Sequence, residues 1–375
     1  MELFDVYPLY DITPVSASGC WITDHNGKKY LDLYGGHAVI SIGHTHPRFV
    51  ERLTRQLNKI AFYSNSVKNP LQEQLADRLG ALSGCDDYRL FLCNSGAEAN
   101  ENALKLASFH TGRSRVIAFH NSFHGRTSAA VAATDNPAIV APVNQGHHVT
   151  FLPLNRADLL EHELGKGDVC AVILESIQGV GGLDMPDAEF YEAASALCRQ
   201  HGSVLIADEV QSGFGRSGRF FGFQHTKAEP GIISMAKGMG NGFPVGGILI
   251  HKDFKASHGL LGTTFGGNHL ACAAVCAVLE VLETERLMAN CVEMEGYIRS
   301  RAAEIPGVSQ VKGRGLMLGL AFDFEVAELR KRLIFEHRIF TGSAKNKKLL
   351  RILPALSVGR EELDLLFDAL EKELS

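Results

Sequence analysis

The chain has 375 residues, of which 45% are hydrophobic and 21% charged, and 37 Lys+Arg stand against 42 Asp+Glu for a net charge of −5. That length exceeds one ordinary core and suggests two or three domains, while the apolar content and balanced charge exclude a disordered chain. No basic excess is available to neutralise phosphates, so nucleic-acid binding is not expected as the main task.

Residues 1–10 carry Glu2 and Asp5 and no Lys or Arg. This reads as neither a signal peptide nor an Arg-rich transit peptide, and a cytoplasmic location is expected. Asp24-His25-Asn26-Gly27 lies between two short extended runs and signals a hairpin. Short apolar strands are then predicted at 88–93, 115–119, 148–151, 169–174, 203–207, 231–234 and 246–250, with helices over 98–109 and 187–201. Such alternation argues for a mostly parallel α/β sheet. A long helix is predicted from residue 270 and continues past Arg286. Its apolar run, 271–279, is too short to span a membrane. A strand at 315–322 and a final helix from Glu361 give a smaller α+β domain. The expected division is an N-terminal segment, 1–46, joining the small domain; a large domain, 47–260; and a C-terminal small domain, 261–375. The eight cysteines show no metal-type pairing and read as buried free thiols in a reducing compartment. His44-Thr45-His46 and His147-His148 have no third ligand at helix spacing, so turn and surface roles are expected and no metal site.

Three strand ends carry polar sequence, and in an open α/β sheet ligands bind beyond the carboxyl ends of the strands. Asn94-Ser95-Gly96-Ala97-Glu98-Ala99-Asn100 opens a helix and exposes backbone N–H groups that suit an anion; alone it is equally a plain N-cap at Ser95. Asp208-Glu209 puts two carboxylates at a strand end, which is costly unless a cation pairs with one of them. A metal or a protonated heterocycle would supply that charge; a surface turn is the alternative. Lys237 follows an apolar strand, and burial there would make its amine nucleophilic. Spacing alone favours a solvated loop lysine. Together the three describe an anion cradle, a carboxylate and a lysine, which are the needs of pyridoxal phosphate.

With these segments the chain resembles the class III, ornithine-type aminotransferases of PLP fold type I. The similarity runs over nearly the whole length: Leu31-Asp32-Leu33 with Gly43-His44-Thr45-His46-Pro47, Asn94 to Asn100, Phe123-His124-Gly125-Arg126, Glu175 to Gly182, Asp208 to Gly213, Lys237 to Pro244, and Thr264-Phe265-Gly266-Gly267-Asn268. Within that family it is most similar to the acetylornithine aminotransferases. The resemblance implies a large domain with a mostly parallel central sheet, a smaller α+β domain, and pyridoxal 5'-phosphate as cofactor. It implies that Lys237 carries the cofactor through its amine and moves the substrate proton. Asp208 would pair with the pyridine nitrogen, Val210 and Phe123 would cover the two ring faces, and Gln211 would approach the phenolic oxygen. Ser95, Gly96 and Ala97 would hold the phosphate. Thr264 would reach the phosphate of a neighbouring subunit and Thr263 its substrate, so a homodimer with shared sites is expected.

The resemblance further implies that Arg126 binds the carboxylate of an N-acylated ornithine and Arg351 the α-carboxylate of glutamate or 2-oxoglutarate; the planar guanidinium matches a carboxylate in both cases. Glu175 would gate Arg351, pairing with it when an ω-amine is bound and releasing it for glutamate. The chain departs from the family pattern at Ser176 (usually Pro), Val180 (usually acidic), His37 (usually aliphatic), Ala97 (often Thr) and Ala355 (usually Pro). His37 and Val180 are expected near the acyl end of the substrate and leave acetyl and succinyl both open. The expected reaction moves the δ-amino group of an N-acylornithine to 2-oxoglutarate, as in arginine biosynthesis. Ornithine δ-aminotransferase and 4-aminobutyrate aminotransferase share the chemistry and stand as alternatives. A non-catalytic dimer of the same fold would have lost Lys237 or Asp208, and both are present. A metal-dependent hydrolase on Asp208-Glu209 lacks a surrounding ligand set.

Overall fold

The computed structural model describes all 375 residues. Strands β1 (Pro14–Ser18), β2 (Trp21–Asp24) and β3 (Lys29–Asp32) form an antiparallel meander. Asp24 sets the predicted hairpin turn: its Oδ1 accepts the N–H groups of Asn26 at 2.9 Å and Lys28 at 2.8 Å.

The seven predicted strands of the middle region form one sheet: β4 (Tyr88–Cys93), β5 (Arg115–Phe119), β6 (Val149–Leu152), β7 (Val169–Glu175), β8 (Val204–Asp208), β9 (Ile232–Met235) and β10 (Gly246–His251). The order is β4-β10-β9-β8-β7-β5-β6, and β10 alone runs antiparallel to its neighbours. Every residue of β7, β8 and β9 is buried. The helix Gly96–Thr111 packs on β7 to β10 and the helix Ala188–His201 on β7 and β8. A parallel sheet covered in this way needs uninterrupted apolar strands, which explains runs such as Val-Cys-Ala-Val-Ile-Leu in β7. Register then aligns the strand ends: Glu175 lies beside Asp208, and Asp208 beside Ser234.

One expectation near the C-terminus fails: the long helix does not run past Arg286. Arg286 adopts φ +53, in the left-handed region, and separates the helices His269–Thr284 and Leu287–Ala302. The apolar pattern that sustains the first helix ends at Leu282, followed by the polar stretch Glu283-Thr284-Glu285. The strand predicted at 315–322 is one arm of a hairpin, β11 (Gln310–Arg314) and β12 (Met317–Ala321), turned at Gly315, where φ is +61. After β13 (Ile339–Phe340), β14 (Leu349–Ile352) completes this antiparallel sheet. β13 pairs in parallel with β3, tying the C-terminal region to the N-terminal meander. The final helix runs Arg360–Leu374. All eight cysteines are free and buried, and no helix is long and apolar enough to cross a membrane.

One side chain links three segments. Arg216 is 2% exposed and has no acidic partner within ion-pair distance. Its Nη1 donates to the carbonyls of Leu316 (3.2 Å) and Pro354, and its Nη2 to that of Ile40 (3.2 Å). Burial pulls its pKa down to about 10. A buried cation held only by neutral carbonyls is tolerable because all three acceptors would otherwise be unpaired. Arg216→Met is expected to destabilise the chain by about 3–5 kcal/mol in chemical unfolding, since it orphans those carbonyls. Unchanged stability would show that they find other partners.

Candidate active site

Asp208 ends β8 and is 4% exposed. Its Oδ2 accepts from Asn100 Nδ2 at 2.7 Å and lies 2.6 Å from His124 Nδ1; its Oδ1 accepts the Val210 N–H at 3.1 Å. Asn100 also donates to the His124 carbonyl at 2.8 Å, so the three residues form one unit. His124 facing a carboxylate carries its proton on Nδ1, and its buried Nε2 has no partner. Oδ1 of Asp208 keeps a spare acceptor position. Asn100 and His124 sit inside motifs quoted from the sequence, yet received no role there. Only the fold reveals that both converge on Asp208.

Glu209, next along, needs no cation of its own. Its buried carboxylate accepts from Ser176 Oγ (2.6 Å), Ser212 Oγ (2.7 Å), Gly222 N (2.8 Å) and Phe223 N (2.8 Å). Four neutral donors satisfy it. Ser176, the departure at the gate strand, is one of them. Burial still raises the Glu209 pKa.

Glu175 ends β7. Its Oε1 accepts the Phe123 N–H at 2.9 Å and its Oε2 the Gly179 N–H at 3.0 Å. Burial pushes its pKa up to about 7, with the charge of Asp208 adding to the rise and His124 opposing it. Arg351, on β14, is 3% exposed. Its Nη1 donates to the Gly179 carbonyl at 2.6 Å, and its Nε has no partner. Burial lowers its pKa. Glu175 and Arg351 form no direct ion pair in this structure; each carboxylate oxygen of Glu175 accepts one backbone N–H. The two side chains instead hold opposite ends of the Gly179 residue. A Cβ at Gly179 would lie 1.7 Å from Gln211 Oε1, so the Gln211 amide packs directly on this glycine and would have to move for any larger residue. Gln211 Nε2 in turn donates to the His37 carbonyl at 2.9 Å.

Lys237 follows β9, half-buried, with φ +47. Its Nζ makes no hydrogen bond or ion pair. Burial depresses its pKa; the charges of Asp208 and Glu175 oppose this and Arg351 reinforces it. Left-handed backbone at a non-glycine residue is strain of the kind that concentrates at functional positions.

The helix Gly96–Thr111 begins beside these groups. Ser95 caps it, its Oγ accepting the Glu98 N–H at 3.2 Å. A Cβ on Gly96 would lie 2.6 Å from Val210 Cγ1, so the helix start rests directly on Val210. Ala97 packs against Gly125, where a Cβ would approach it to 2.7 Å. Phe123 is half-buried, and Arg126 is exposed with no ion pair or hydrogen bond from its guanidinium. Thr263 is used within its own chain: its Oγ1 accepts from Asn94 Nδ2 at 3.2 Å and from the Gly266 N–H at 3.1 Å. Thr264 is exposed. Of the histidines weighed as metal ligands, His44 lies 2.8 Å from Asp32, His46 3.0 Å from Glu285 and His147 2.9 Å from Ser128 Oγ.

The strand ends therefore gather two carboxylates, an amine of depressed pKa, a buried arginine and a helix N-terminus suited to an anion. Comparison with known proteins agrees with this constellation. The family model described as Aminotransferase class-III matches residues 6–374. The acetylornithine aminotransferase of Bacillus subtilis (strain 168) is 40% identical over 370 residues, covering 96% of this chain and 94% of that protein. The acetylornithine aminotransferase of Archaeoglobus fulgidus is 38% identical over 366 residues, covering 97% and 96% respectively. Among solved structures, the ornithine aminotransferase of Toxoplasma gondii is similar at a TM-score of 0.91 and 26% identity, over 98% of this chain and 91% of that one. A second structure of that enzyme, at TM-score 0.90 and 27% identity over 98% and 90%, has PLP at partial occupancy in its active site. The chain belongs to the class-III aminotransferases.

Proposed function

We propose that this aminotransferase moves the δ-amino group of N-acetylornithine to 2-oxoglutarate with pyridoxal 5'-phosphate as cofactor, acting in arginine biosynthesis as a homodimer. The observation that carries this reading is the juxtaposition of the clamped Asp208 carboxylate with the unpartnered Lys237 amine, in a chain 40% identical to an acetylornithine aminotransferase over nearly its whole length. The similarity to ornithine aminotransferases, at 26% identity, is weaker. N-succinylornithine remains the acyl alternative.

The residues fit the cofactor. Asp208 offers a spare acceptor to a pyridinium N–H, and Asn100, His124 and the Val210 N–H fix its direction. Gly96 lets the helix start approach Val210, leaving backbone N–H groups for a phosphate beside Ser95 and Ala97. When bound, the cofactor supplies an electron sink for the pair left when a substrate C–H proton departs. Lys237 would hold the cofactor aldehyde and would carry the proton to and from the substrate carbon. Val210 and Phe123 would cover the cofactor and exclude water, and Gln211, whose amide donates to the His37 carbonyl, would lie near its phenolic oxygen. Thr264 serves the phosphate of the partner's site. Thr263, whose hydroxyl is already engaged, serves the shared site by holding that loop.

Exposed Arg126 is free to take the distal carboxylate of the donor. Buried Arg351 lacks an acidic partner and takes the α-carboxylate of glutamate or 2-oxoglutarate. Glu175 gates it through Gly179. Charged Glu175 offsets Arg351 when an ω-amine is bound and competes with an incoming carboxylate. The dimer is supported by an exposed apolar cluster, Ile60, Phe62, Tyr63, Val67 and Phe265, in which Phe62 and Phe265 rings lie 5.3 Å apart. The three-part division of the chain belongs to this proposal and is supported at its first boundary by the β13–β3 pairing. The helix His269–Thr284 packs on the helices Pro47–Leu57 and Pro70–Ser83, which argues for moving the second boundary from 260 to beyond 284.

Lys237→Ala is expected to lower turnover of N-acetylornithine with 2-oxoglutarate by more than about 10⁴-fold, with circular dichroism unchanged. Wild-type turnover would end the assignment. The Glu175 pKa sets a pH dependence. Below about 7 the carboxyl is neutral and Arg351 is left for the acceptor; above it, the charge opposes the acceptor. The KM for 2-oxoglutarate is therefore expected to rise as pH climbs through this range, and Glu175→Gln to flatten the profile at its low value. A profile identical in both proteins would remove the gate.

A further inference from the structure

Residues 35–38 form a single turn of left-handed helix. Their φ values are +56, +55, +68 and +62, and two of the four, His37 and Ala38, are not glycine. L-residues disfavour this conformation, so the surroundings must impose it. They do so from both sides. Asp32 Oδ1 accepts the N–H groups of Tyr34 (3.0 Å) and Gly35 (2.8 Å). Gln211 Nε2 grips the His37 carbonyl at 2.9 Å. A Cβ on Gly35 would lie 2.9 Å from the Leu353 carbonyl, two residues beyond Arg351, so the turn sits directly on the strand that carries the carboxylate clamp.

The strained turn presents a specific pair. The Tyr34 hydroxyl lies within hydrogen-bond reach of both ring nitrogens of His37, 3.1 Å from Nε2, and the two rings are 4.8 Å apart. Tyr34 packs beside Arg351: a Cβ on Gly342 would meet Tyr34 Cε2 at 2.8 Å on one side and Arg351 Cβ at 3.1 Å on the other. His37 is exposed and feels the charges of Arg351 and Lys237; Tyr34 feels Arg351 and Arg330. The adjacent acid, Asp32, is committed to the turn and to His44. Their mutual hydrogen bond leaves the pair one free proton to donate, beside a buried arginine that has no acidic partner and with no carboxylate of the chain to occupy it.

We propose that Tyr34 and His37 complete the Arg351 clamp, the hydrogen-bonded pair donating its free proton to the α-carboxylate of 2-oxoglutarate or glutamate and thereby selecting α-carboxylate acceptors. The inference rests on the assignment of Arg351 to that carboxylate. It moves His37 from the acyl end, where the sequence pattern suggested it, to the acceptor end.

The test is calorimetric binding of glutarate, a dicarboxylate without amine or keto group, to the cofactor-loaded protein. It uses three variants: His37→Gly, which tolerates the left-handed backbone without a side chain; His37→Asn, which tolerates it and keeps a donor; and Tyr34→Phe. His37→Gly is expected to weaken glutarate about tenfold or more and to raise the KM for 2-oxoglutarate in parallel, with the KM for the amine donor within about twofold. His37→Asn should recover most of the loss, and Tyr34→Phe should fall between. Wild-type affinity in His37→Gly and Tyr34→Phe, or equal rises in both KM values, would overturn the clamp while leaving the acceptor assignment intact. Failure of the wild-type protein to bind glutarate would remove the acceptor assignment itself, and the clamp with it.

Discussion

Parallel register between β7, β8 and β9 places Glu175 beside Asp208 and Asp208 beside Ser234, and much of the site follows from that alignment. Two buried carboxylates on neighbouring strand ends repel one another and are poorly solvated. The fold answers with directed donors: Asn100, His124 and a backbone N–H on Asp208, and two backbone N–H groups on Glu175. Lys237, near both carboxylates, is half-buried in a strained backbone conformation. The same desolvation acts in opposite directions on the two kinds of group. It raises the Glu175 carboxyl and lowers the Lys237 amine, favouring the neutral form of each.

Gly179 is the second pivot. Its N–H serves Glu175, its carbonyl serves Arg351, and its missing side chain makes room for Gln211. The acid and the arginine therefore communicate through one residue rather than by contact. Gln211 extends the link to the left-handed turn at His37. Arg216 ties the same neighbourhood together from behind, through carbonyls that follow His37, precede β12 and follow Arg351. Segments far apart in sequence are thus held to one geometry by hydrogen bonds to backbone, which fixes positions without adding charge to the site.

The sequence made the central sheet legible because its strands are short, apolar and separated by amphipathic helices; β4 and β5 match the expected bounds. Lys237 and Asp208 stood out because they end or follow apolar runs, whereas Glu175 and Arg351 were marked only by the family resemblance. What failed depended on a single backbone conformation: Arg286 breaks a helix whose apolar pattern gave no capping signal. The supporting residues were hidden for another reason. Asn100 and His124 act on Asp208 across 108 and 84 residues of chain, and no local pattern marks such a contact. Glu209 is an acid satisfied by four neutral donors, which charge arithmetic on the Asp208-Glu209 pair did not foresee.

The central claim is that the Lys237–Asp208 site transaminates an acylated ornithine. It is tested most directly by a single-turnover absorption spectrum of the cofactor-loaded protein, mixed separately with N-acetylornithine, N-succinylornithine, ornithine and 4-aminobutyrate and with no acceptor present. The account predicts that an acylated ornithine, with N-acetylornithine first, converts the bound cofactor from aldehyde to amine and bleaches its visible band. Bleaching by free ornithine or 4-aminobutyrate alone would contradict the substrate. A protein that shows no visible band after addition of pyridoxal phosphate would contradict the site.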